Sequence, residues 1–215
     1  MTGKGSLNHN SRKFHAKNTD PNRTHWNVEY CNEDIKDVYH ELFDDALKRY
    51  NDKQTRKDRK IDDYYEKIRS GKQEKLFHEV ILQIGDKDNM GSETMEGQLA
   101  AKILDEYMKG FQERNPTLRV FAAHLHLDEA TPHLHIDFIP YVTGSKRGLD
   151  TRVSLKQALS SLGFKGGSRS ETELNQWVQS EKQKLAMVMR ENEIEWDQKG
   201  THEQHLSVLD YKKKV

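Results

Sequence analysis

FAAHLHLDEATPHLHIDFIP, residues 121–140, is the stretch that decides the fold of this 215-residue chain. Polar and apolar residues alternate on both sides of the turn-forming segment 129–132, and the alternation extends outward over 118–127 and 133–142. Because successive side chains of a strand point to opposite faces, this pattern predicts two antiparallel strands joined as a hairpin. One face of the hairpin is then apolar. The other face carries four histidines and two aspartates: His124, His126, Asp128, His133, His135 and Asp137.

The clustered histidines predict a metal site. Facing residues of an antiparallel pair lie about 5 Å apart at Cβ, so several imidazoles can bind one ion at about 2.1 Å per bond. His133 and His135 form an H-x-H pair, His126 is the nearest third ligand, and His124, one pleat further from the turn, is expected to be a neighbour. Three imidazoles suit ions such as Mn²⁺, Zn²⁺, Ni²⁺ or Cu²⁺ and leave positions open for a substrate. The nearby carboxylates are expected to orient the imidazoles: Asp128, Glu129 and Asp137.

The rest of the chain mixes helical and strand patterns. Apolar residues recur every three or four positions in four segments, which predicts four helices, with Asn32 and Ser170 as N-caps. The sequence therefore predicts an α+β fold, in which an antiparallel-rich sheet carries helices mainly on one face. The predicted helices span 35–50, 53–70, 94–114 and a segment from Ser170, and the further predicted strands span 76–84 and 24–30.

Composition excludes several classes of protein. Hydrophobic and charged residues each make up 33% of the chain, and 35 basic residues balance 35 acidic ones, so the total charge predicts no polyanionic partner. The single cysteine, Cys31, excludes a disulfide framework and a Cys-rich zinc site. The sequence has neither an apolar run of about 20 residues nor the apolar region of a signal peptide. We therefore expect a cytoplasmic protein that does not bind membranes.

Two zones depart from this neutral balance. Residues 1–30 hold five basic groups against two acidic ones, and residues 143–169 hold six against one. Glycines in the basic loops 143–152 and 164–169 let the backbone approach a phosphate backbone closely, although ordinary turns remain the alternative interpretation. The candidate DNA contacts are Lys13, Arg23, Lys146, Arg147, Arg152, Lys165 and Arg169.

Two motifs resemble a known family. HLDEATPHLH at 126–135 is similar to the third motif of the plasmid mobilisation relaxases of the Mob/Pre (MobV) class, which belong to the HUH endonuclease superfamily. The first motif of that class, H-N-x-R, resembles His9-Asn10-Ser11-Arg12. Both motifs occur in the family's order, and together they span residues 9–137.

The resemblance implies a fold, a site and a reaction. The expected fold is a five-stranded HUH relaxase-like antiparallel sheet with helices, which would form a catalytic domain over 1–200, followed by a peripheral or truncated tail at 201–215. The expected nucleophile is His9, supported by Glu129 and by Arg12, which we expect to bind a phosphate oxygen. Tyr30 is the second candidate nucleophile, since a strand over 24–30 would let it reach the metal face. The implied metal ligands are His126, His133 and His135, with Mn²⁺ as first choice and Mg²⁺, Zn²⁺, Ni²⁺ or Cu²⁺ as alternatives.

The implied activity is that of a metal-dependent DNA strand transferase. Such an enzyme nicks one strand of single-stranded or locally melted DNA at an origin of transfer, keeps the 5′ phosphate covalently, and later rejoins the strand. Two alternatives remain open from the sequence. One is a rolling-circle replication initiator of the same superfamily, and the other is a non-catalytic nucleic-acid-binding module with a metal site.

Overall fold

Six strands pair into one antiparallel sheet in the computed structural model, which describes residues 2–3 and 6–196. Five of them form the path β1-β3-β5-β4-β2, and β6 pairs with β5. The tail predicted at 201–215 lies outside the described residues. The strands are β1 (Thr2–Gly3), β2 (Val28–Asn32), β3 (His78–Gln83), β4 (Leu118–His126), β5 (His133–Val142) and β6 (Arg152–Val153).

Helices lie between β1 and β2, between β2 and β3, between β3 and β4, and after β6. Their apolar stripes explain why they form and which side they bury. None of the helices in the described part of the chain is both long and apolar enough to cross a membrane. The helices are α1 (Leu7–Asn10), α2 (Ile35–Asp52), α3 (Tyr64–Ser70), α4 (Met95–Lys109), α5 (Phe111–Arg114), α6 (Leu155–Ser161) and α7 (Glu173–Glu191).

The hairpin predicted from residues 121–140 forms the centre of the sheet. In the β4–β5 register His126 faces His133 and His124 faces His135, while Leu125 faces Leu134 on the other side. Since directly paired residues point to the same face, the register alone places the four histidines together.

A β-bulge at Phe121 interrupts the alternation of β4. The register shifts between Val120 and Ala122, so Leu118 and Val120 pack into the same apolar core as Leu125. Strict alternation would have placed Leu118 and Val120 on the histidine face, and that expectation was wrong. Successive side chains of a strand alternate between its two faces, so one inserted residue turns every preceding side chain of β4 to the opposite face.

Two apolar cores result, one on each face of the sheet. The larger core joins β3, β4 and β5 to α4–α7, around buried side chains such as Leu104, Phe111 and Trp177. The smaller core places α2 and α3 on the histidine face, against Phe121 and Ile139. The two helices therefore cover only the half of this face that lies beyond the bulge, and the histidine half is left to the N-terminal segment.

Several predicted boundaries differ from the structure. The charged segment 53–63 does not continue α2 and instead forms a 3₁₀ turn at Lys57–Arg59, because it lacks an apolar stripe. The predicted helix at 94–114 breaks at Gly110 into α4 and α5. The strand predicted at 24–30 starts as a 3₁₀ turn (Thr24–Trp26), and β2 then extends to Asn32.

The predicted N-caps also differ. Asp34 caps α2 by accepting from the Lys36 amide, because Asn32 belongs to β2. Thr172 caps α7 in place of Ser170, through the amide of Asn175. Helix α6 was missed, since its seven residues carry too short an apolar pattern to be distinguished from a loop.

Candidate active site

Three imidazoles converge at the turn end of the central hairpin. His126 comes from β4, and His133 and His135 come from β5. All three side chains are buried, and one ring nitrogen of each lies within 4.8 Å of the other two. Nitrogens that share one ion at about 2.1 Å lie roughly 3–4 Å apart, so the three rings lie close to the spacing that one metal ion requires.

Each of these imidazoles is fixed through one nitrogen. Carbonyl and carboxylate oxygens accept hydrogen bonds, so the bonded nitrogen carries the proton and the other nitrogen presents a lone pair. This is the arrangement of metal-binding histidines, whose outer nitrogen is held by a fixed oxygen. The bonds run from His126 Nε2 to the Asn10 carbonyl (2.8 Å), from His133 Nδ1 to the Thr131 carbonyl (2.8 Å) and from His135 Nδ1 to Glu79 Oε1 (2.7 Å).

The inward nitrogens fit a divalent ion. His126 Nδ1 and His135 Nε2 are buried and have no hydrogen-bond partner within the described structure. A buried polar atom without a partner is costly, and a bound cation would satisfy both. Burial, followed by the charge of the neighbouring His135, lowers the pKa of His126 to about 2, and burial also lowers the pKa of His133. These rings are therefore neutral, which is the form that binds metals.

His124 does not join this cluster. Its Nε2 lies 3.3 Å from a carboxylate oxygen of Glu29 on the edge strand, and its ring centroid is 6.1 Å from that of His126. The structure therefore places His124 as a neighbour of the three imidazoles.

The N-terminal motif folds over the same face. His9 belongs to α1, and its ring centroid lies 6.0 Å from that of His126 and 6.4 Å from that of His135. Its Nε2 is 3.3 Å from Arg12 Nη1 and 3.3 Å from Glu129 Oε1. Burial, and then the charge of Arg12, lower the pKa of His9 although Glu129 opposes them. His9 Nε2 therefore lies between a donor, Arg12, and an acceptor, Glu129, and the neutral tautomer that accepts from Arg12 carries its lone pair on Nε2.

Asn10 attaches this motif to the sheet. Its buried Nδ2 donates to Glu79 Oε1 (2.9 Å) and to Asp137 Oδ2 (3.1 Å), and its carbonyl accepts from His126. Glu79 and Asp137 face each other across β3 and β5. Asn10 therefore fixes His9 relative to the three imidazoles.

Arg12 braces the turn that follows β4. Its guanidinium donates to Asp128 through Nε and Nη2 and to Glu129 through Nη2, and only 8% of its side chain is exposed. Burial opposes ionisation of Asp128, but hydrogen bonds led by that from Arg12 outweigh it and hold the pKa of Asp128 near 2. The donors of Arg12 are bonded within the protein, so binding of a phosphate oxygen by Arg12 stays a prediction that requires one of these bonds to be exchanged.

Other carboxylates also differ from their expected roles. Asp128 and Asp137 do not hydrogen-bond the three imidazoles, whereas Glu79, which the sequence reasoning missed, holds His135. Glu129 lies 3.8 Å from His133 Nε2 and so faces both His9 and the imidazole cluster. Burial, followed by the charge of Glu79, raises the pKa of Asp137 to about 7.

Tyr30 points away from this site, which contradicts its candidacy as a nucleophile. Paired residues share a face, so Glu29 faces His124, and the next residue, Tyr30, packs against the apolar core. Its hydroxyl donates to Asp105 of α4 at 2.9 Å. Burial and the Asp105 carboxylate raise the pKa of Tyr30, which further disfavours the phenolate.

The candidate DNA contacts are spread over the molecule. Lys13 is exposed one residue after Arg12. Arg23 is half-buried, and its guanidinium donates to Asp20 and to the carbonyls of Leu127 and Glu129, so it braces the β4–β5 turn.

The other basic loops lie away from the histidines. The loop 143–152 follows Val142, which is seven residues, or about 24 Å, along β5 from His135. In this loop Arg152 donates to Ser145 and Gln157. The exposed remaining candidates are Lys146 and Arg147 in this loop, and Lys165 and Arg169 between α6 and α7.

The fold is that of a relaxase domain. It matches the MobM relaxase domain (MOBV; Mob_Pre) solved with manganese and a 22-nucleotide oriT DNA of plasmid pMV158 at pH 5.5, with a TM-score of 0.57 and 23% identity over 97% of this chain and 91% of that chain. The same domain with oriT DNA and a 3′ thiophosphate at pH 6.8 matches with a TM-score of 0.54 and 22% identity over 97% and 90%. These matches confirm the predicted fold class.

The family follows from the sequence itself. The profile of the plasmid recombination enzymes, Mob_Pre, matches residues 6–213, and the chain belongs to this family. The comparison with curated proteins gives no match. Membership confirms the resemblance that residues 9–12 and 126–135 suggested.

Proposed function

We propose that this protein is a metal-dependent relaxase. It nicks one strand of single-stranded or melted DNA at an origin of transfer, holds the 5′ phosphate covalently, and rejoins the strand. One observation carries the proposal: His9 lies beside three imidazoles, and the inward nitrogens of two of them, His126 and His135, are buried without a partner in the described structure. The MobM relaxase domain, which shares the fold, was solved with manganese and oriT DNA, and this supports the same substrate and metal here.

The metal ligands would be His126, His133 and His135. When bound there, a divalent ion neutralises the charge that develops on a non-bridging oxygen of the scissile phosphate. Mn²⁺ is the first choice; imidazoles also suit Zn²⁺, Ni²⁺ and Cu²⁺, whereas Mg²⁺ prefers oxygen ligands. The fixed outer nitrogens keep the three rings in place before the ion arrives, which reduces the cost of ordering them.

His9 would be the nucleophile. The Nε2 lone pair forms a bond to phosphorus while the bond from phosphorus to the 3′ oxygen breaks. The leaving 3′ oxygen takes a proton from water, and the Nδ1 proton of His9 passes to solvent, which leaves a phosphoramidate on the ring. The same 3′ hydroxyl reverses the reaction, so rejoining requires no nucleoside triphosphate.

Arg12 and Glu129 would support this step. The positive charge of Arg12, 3.3 Å from His9 Nε2, disfavours the imidazolium and so preserves the nucleophilic lone pair. Arg12 also holds Glu129 in place, with its carboxylate facing both His9 and His133.

DNA binding would begin at the site and extend beyond it. Lys13, which is exposed one residue after Arg12, would contact phosphates next to the nick. Lys146, Arg147, Arg152, Lys165 and Arg169 would contact the strand or duplex further away, in a salt-dependent manner. The substrate is plasmid DNA, so we place the protein in the cytoplasm, with residues 1–200 as its catalytic domain.

A covalent adduct tests the proposal. A pool of single-stranded oligonucleotides with a randomised central segment is incubated with the protein and Mn²⁺, and mass spectrometry locates any attached nucleotide. We expect an adduct on His9 and a free 3′ hydroxyl on the released DNA, and neither product with His9→Ala. Tyr30→Phe should form the adduct like wild type, since Tyr30 lies on the other face.

Two other results of this experiment would change the conclusion. If no adduct forms with Mn²⁺, Mg²⁺ or Zn²⁺ while DNA binding persists, the protein is a binding module and the proposal is wrong. An adduct on a residue other than His9 would retain a strand transferase but replace its nucleophile.

A further inference from the structure

The loop between Arg12 and Asp20 is attached at both ends to the turn after β4. At its start, Arg12 bonds Asp128 and Glu129. At its end, the Asp20 amide donates to the Asp128 carbonyl (2.7 Å), and Asn18 Nδ2 donates to Glu129 (2.5 Å). Because both attachments reach the turn that carries Glu129, which lies 3.3 Å from His9 Nε2, the loop is fixed beside the site.

The middle of this loop presents Phe14 to solvent. Half of the Phe14 surface is exposed, and its ring centroid lies 5.9 Å from that of His9. Lys13 and Lys17 on the same loop are also exposed. A single exposed phenylalanine is ordinary on a protein surface, but this one is held next to the proposed nucleophile and between two cations. An exposed aromatic ring among cations is the arrangement that single-stranded nucleic acids bind.

We propose that Phe14 is a positioning residue that stacks on one unpaired base of the DNA strand, that of the nucleotide whose 5′ phosphate is attacked. This inference rests on the proposed relaxase function. In an in-line displacement the leaving 3′ oxygen lies opposite the attacking Nε2, so the departing nucleotide extends away from His9. The retained nucleotide remains on the side of His9, where Phe14 offers an open aromatic face.

Trp26 is a weaker candidate for the same role. It is 39% exposed and precedes β2 at the edge of the site. The guanidinium of Arg23 lies over its ring, 6.0 Å from the centroid, so one face is already covered. Phe14 contacts His9 itself and is therefore the better placed of the two.

Fluorescence of 2-aminopurine tests the stacking directly. The probe base replaces the one immediately 3′ of the cleavage site in an oligonucleotide that the wild-type protein cleaves, and binding is measured in the His9→Ala background so that the strand stays intact. We expect Phe14 to quench the probe. Phe14→Ala should abolish the quenching and weaken binding about tenfold, as loss of one stacked base does, and Phe14→Tyr should restore both.

Two further variants separate stacking from folding and from general hydrophobicity. Phe14→Leu keeps an apolar side chain but removes the aromatic face, so it should behave like Phe14→Ala. Trp196→Ala removes an exposed aromatic ring that follows α7, the helix packed on the opposite face, and should bind and quench like wild type. Thermal melting of each variant confirms that it is folded.

Failure of this inference differs from failure of the proposed function. If wild type forms no adduct with any oligonucleotide, the relaxase proposal fails. If wild type cleaves and Phe14→Ala binds, quenches and cleaves equally well, only the role of Phe14 is wrong. Quenching of a probe placed 5′ of the nick, but not of one placed 3′, would likewise contradict the assignment.

Discussion

Two buried polar clusters lie on opposite faces of the sheet, and they differ in how fully they are paired. On the face covered by α4–α7, Glu181 accepts from Asn115 and Arg114 and from the hydroxyl of Tyr107, and Trp177 Nε1 donates to Asn115. Both carboxylate oxygens of Glu181 thus have partners within the protein. The acceptor at the centre of this cluster is thus fully paired, although Arg114 Nε has no partner in the described structure, and the cluster joins α4, α5 and α7.

The histidine cluster is incomplete by the same measure. His126 and His135 each have one bonded nitrogen and one buried nitrogen without a partner. The contrast separates a structural cluster from a binding site. A buried acceptor whose oxygens are paired within the protein stabilises the fold, whereas buried nitrogens that lack partners indicate a site for a ligand. Variants in each cluster should therefore have opposite effects.

Glu181→Ala should have the largest effect, and on stability alone. It leaves the buried Asn115 and Tyr107 and the half-buried Arg114 without their shared acceptor, so we expect a loss of about 3–5 kcal/mol in the free energy of unfolding. Denaturant titration measures this loss. Mn²⁺ affinity of the folded protein should stay within about twofold of wild type, and a large loss of affinity would show that the two clusters are coupled.

His135→Ala should show the reverse pattern. Removal of one of three ligands should weaken Mn²⁺ binding by more than about 100-fold, since even outer partners contribute 10–100-fold. Calorimetry measures the affinity. The melting temperature of wild type should rise with Mn²⁺ and that of the variant should not, because a ligand stabilises only the state that binds it.

Glu79→Gln is the matched control in that experiment. It keeps the shape and removes the charge of the group that holds His135, so it should cost less affinity than His135→Ala. Equal affinity in wild type and His135→Ala would exclude this cluster as the metal site.

The smallest expected effect, per pH unit, is on the pH dependence of stability, and it comes from a histidine outside both clusters. Burial, and then the charge of Lys75, lower the pKa of His78 on β3 to about 4. The unfolded state therefore binds a proton that the folded state does not, so the contribution of His78 to stability should fall by at most about 1.4 kcal/mol per pH unit between about pH 6.5 and pH 4. His78→Gln should have a shallower loss over this window in denaturant titrations of metal-free protein. An unchanged slope would mean that His78 is accessible to protons in the fold.

The central hairpin could be predicted from sequence because both its strands alternate and its turn is marked by Pro132. The three imidazoles could be predicted from the alternation within each strand, because His124 and His126 share one face of β4, His133 and His135 share one face of β5, and pairing the apolar faces brings the two sets together. The bulge at Phe121 could not be predicted, because neither glycine nor proline marks it.

The partners of the imidazoles were harder to find. Glu79 and Asn10 meet His135 and His126 across 56 and 116 residues of sequence, and no local pattern encodes such a contact. One signal was available, since Glu79 is a carboxylate within the otherwise apolar strand LFHEVILQI. A buried charge in such a strand requires a partner, and this could have suggested a link to the histidines.

The bulge at Phe121 makes β4 a strand with two incompatible phases. Upstream of it, Leu118 and Val120 face the large core, and downstream of it His124 and His126 face the opposite side. Deletion of this one residue would force a choice, because a straight strand must turn either the leucine and valine or the two histidines to the wrong side. Packing of the larger core and placement of the metal-binding histidines thus both depend on this one inserted residue. Deletion of Phe121 should abolish one of the two.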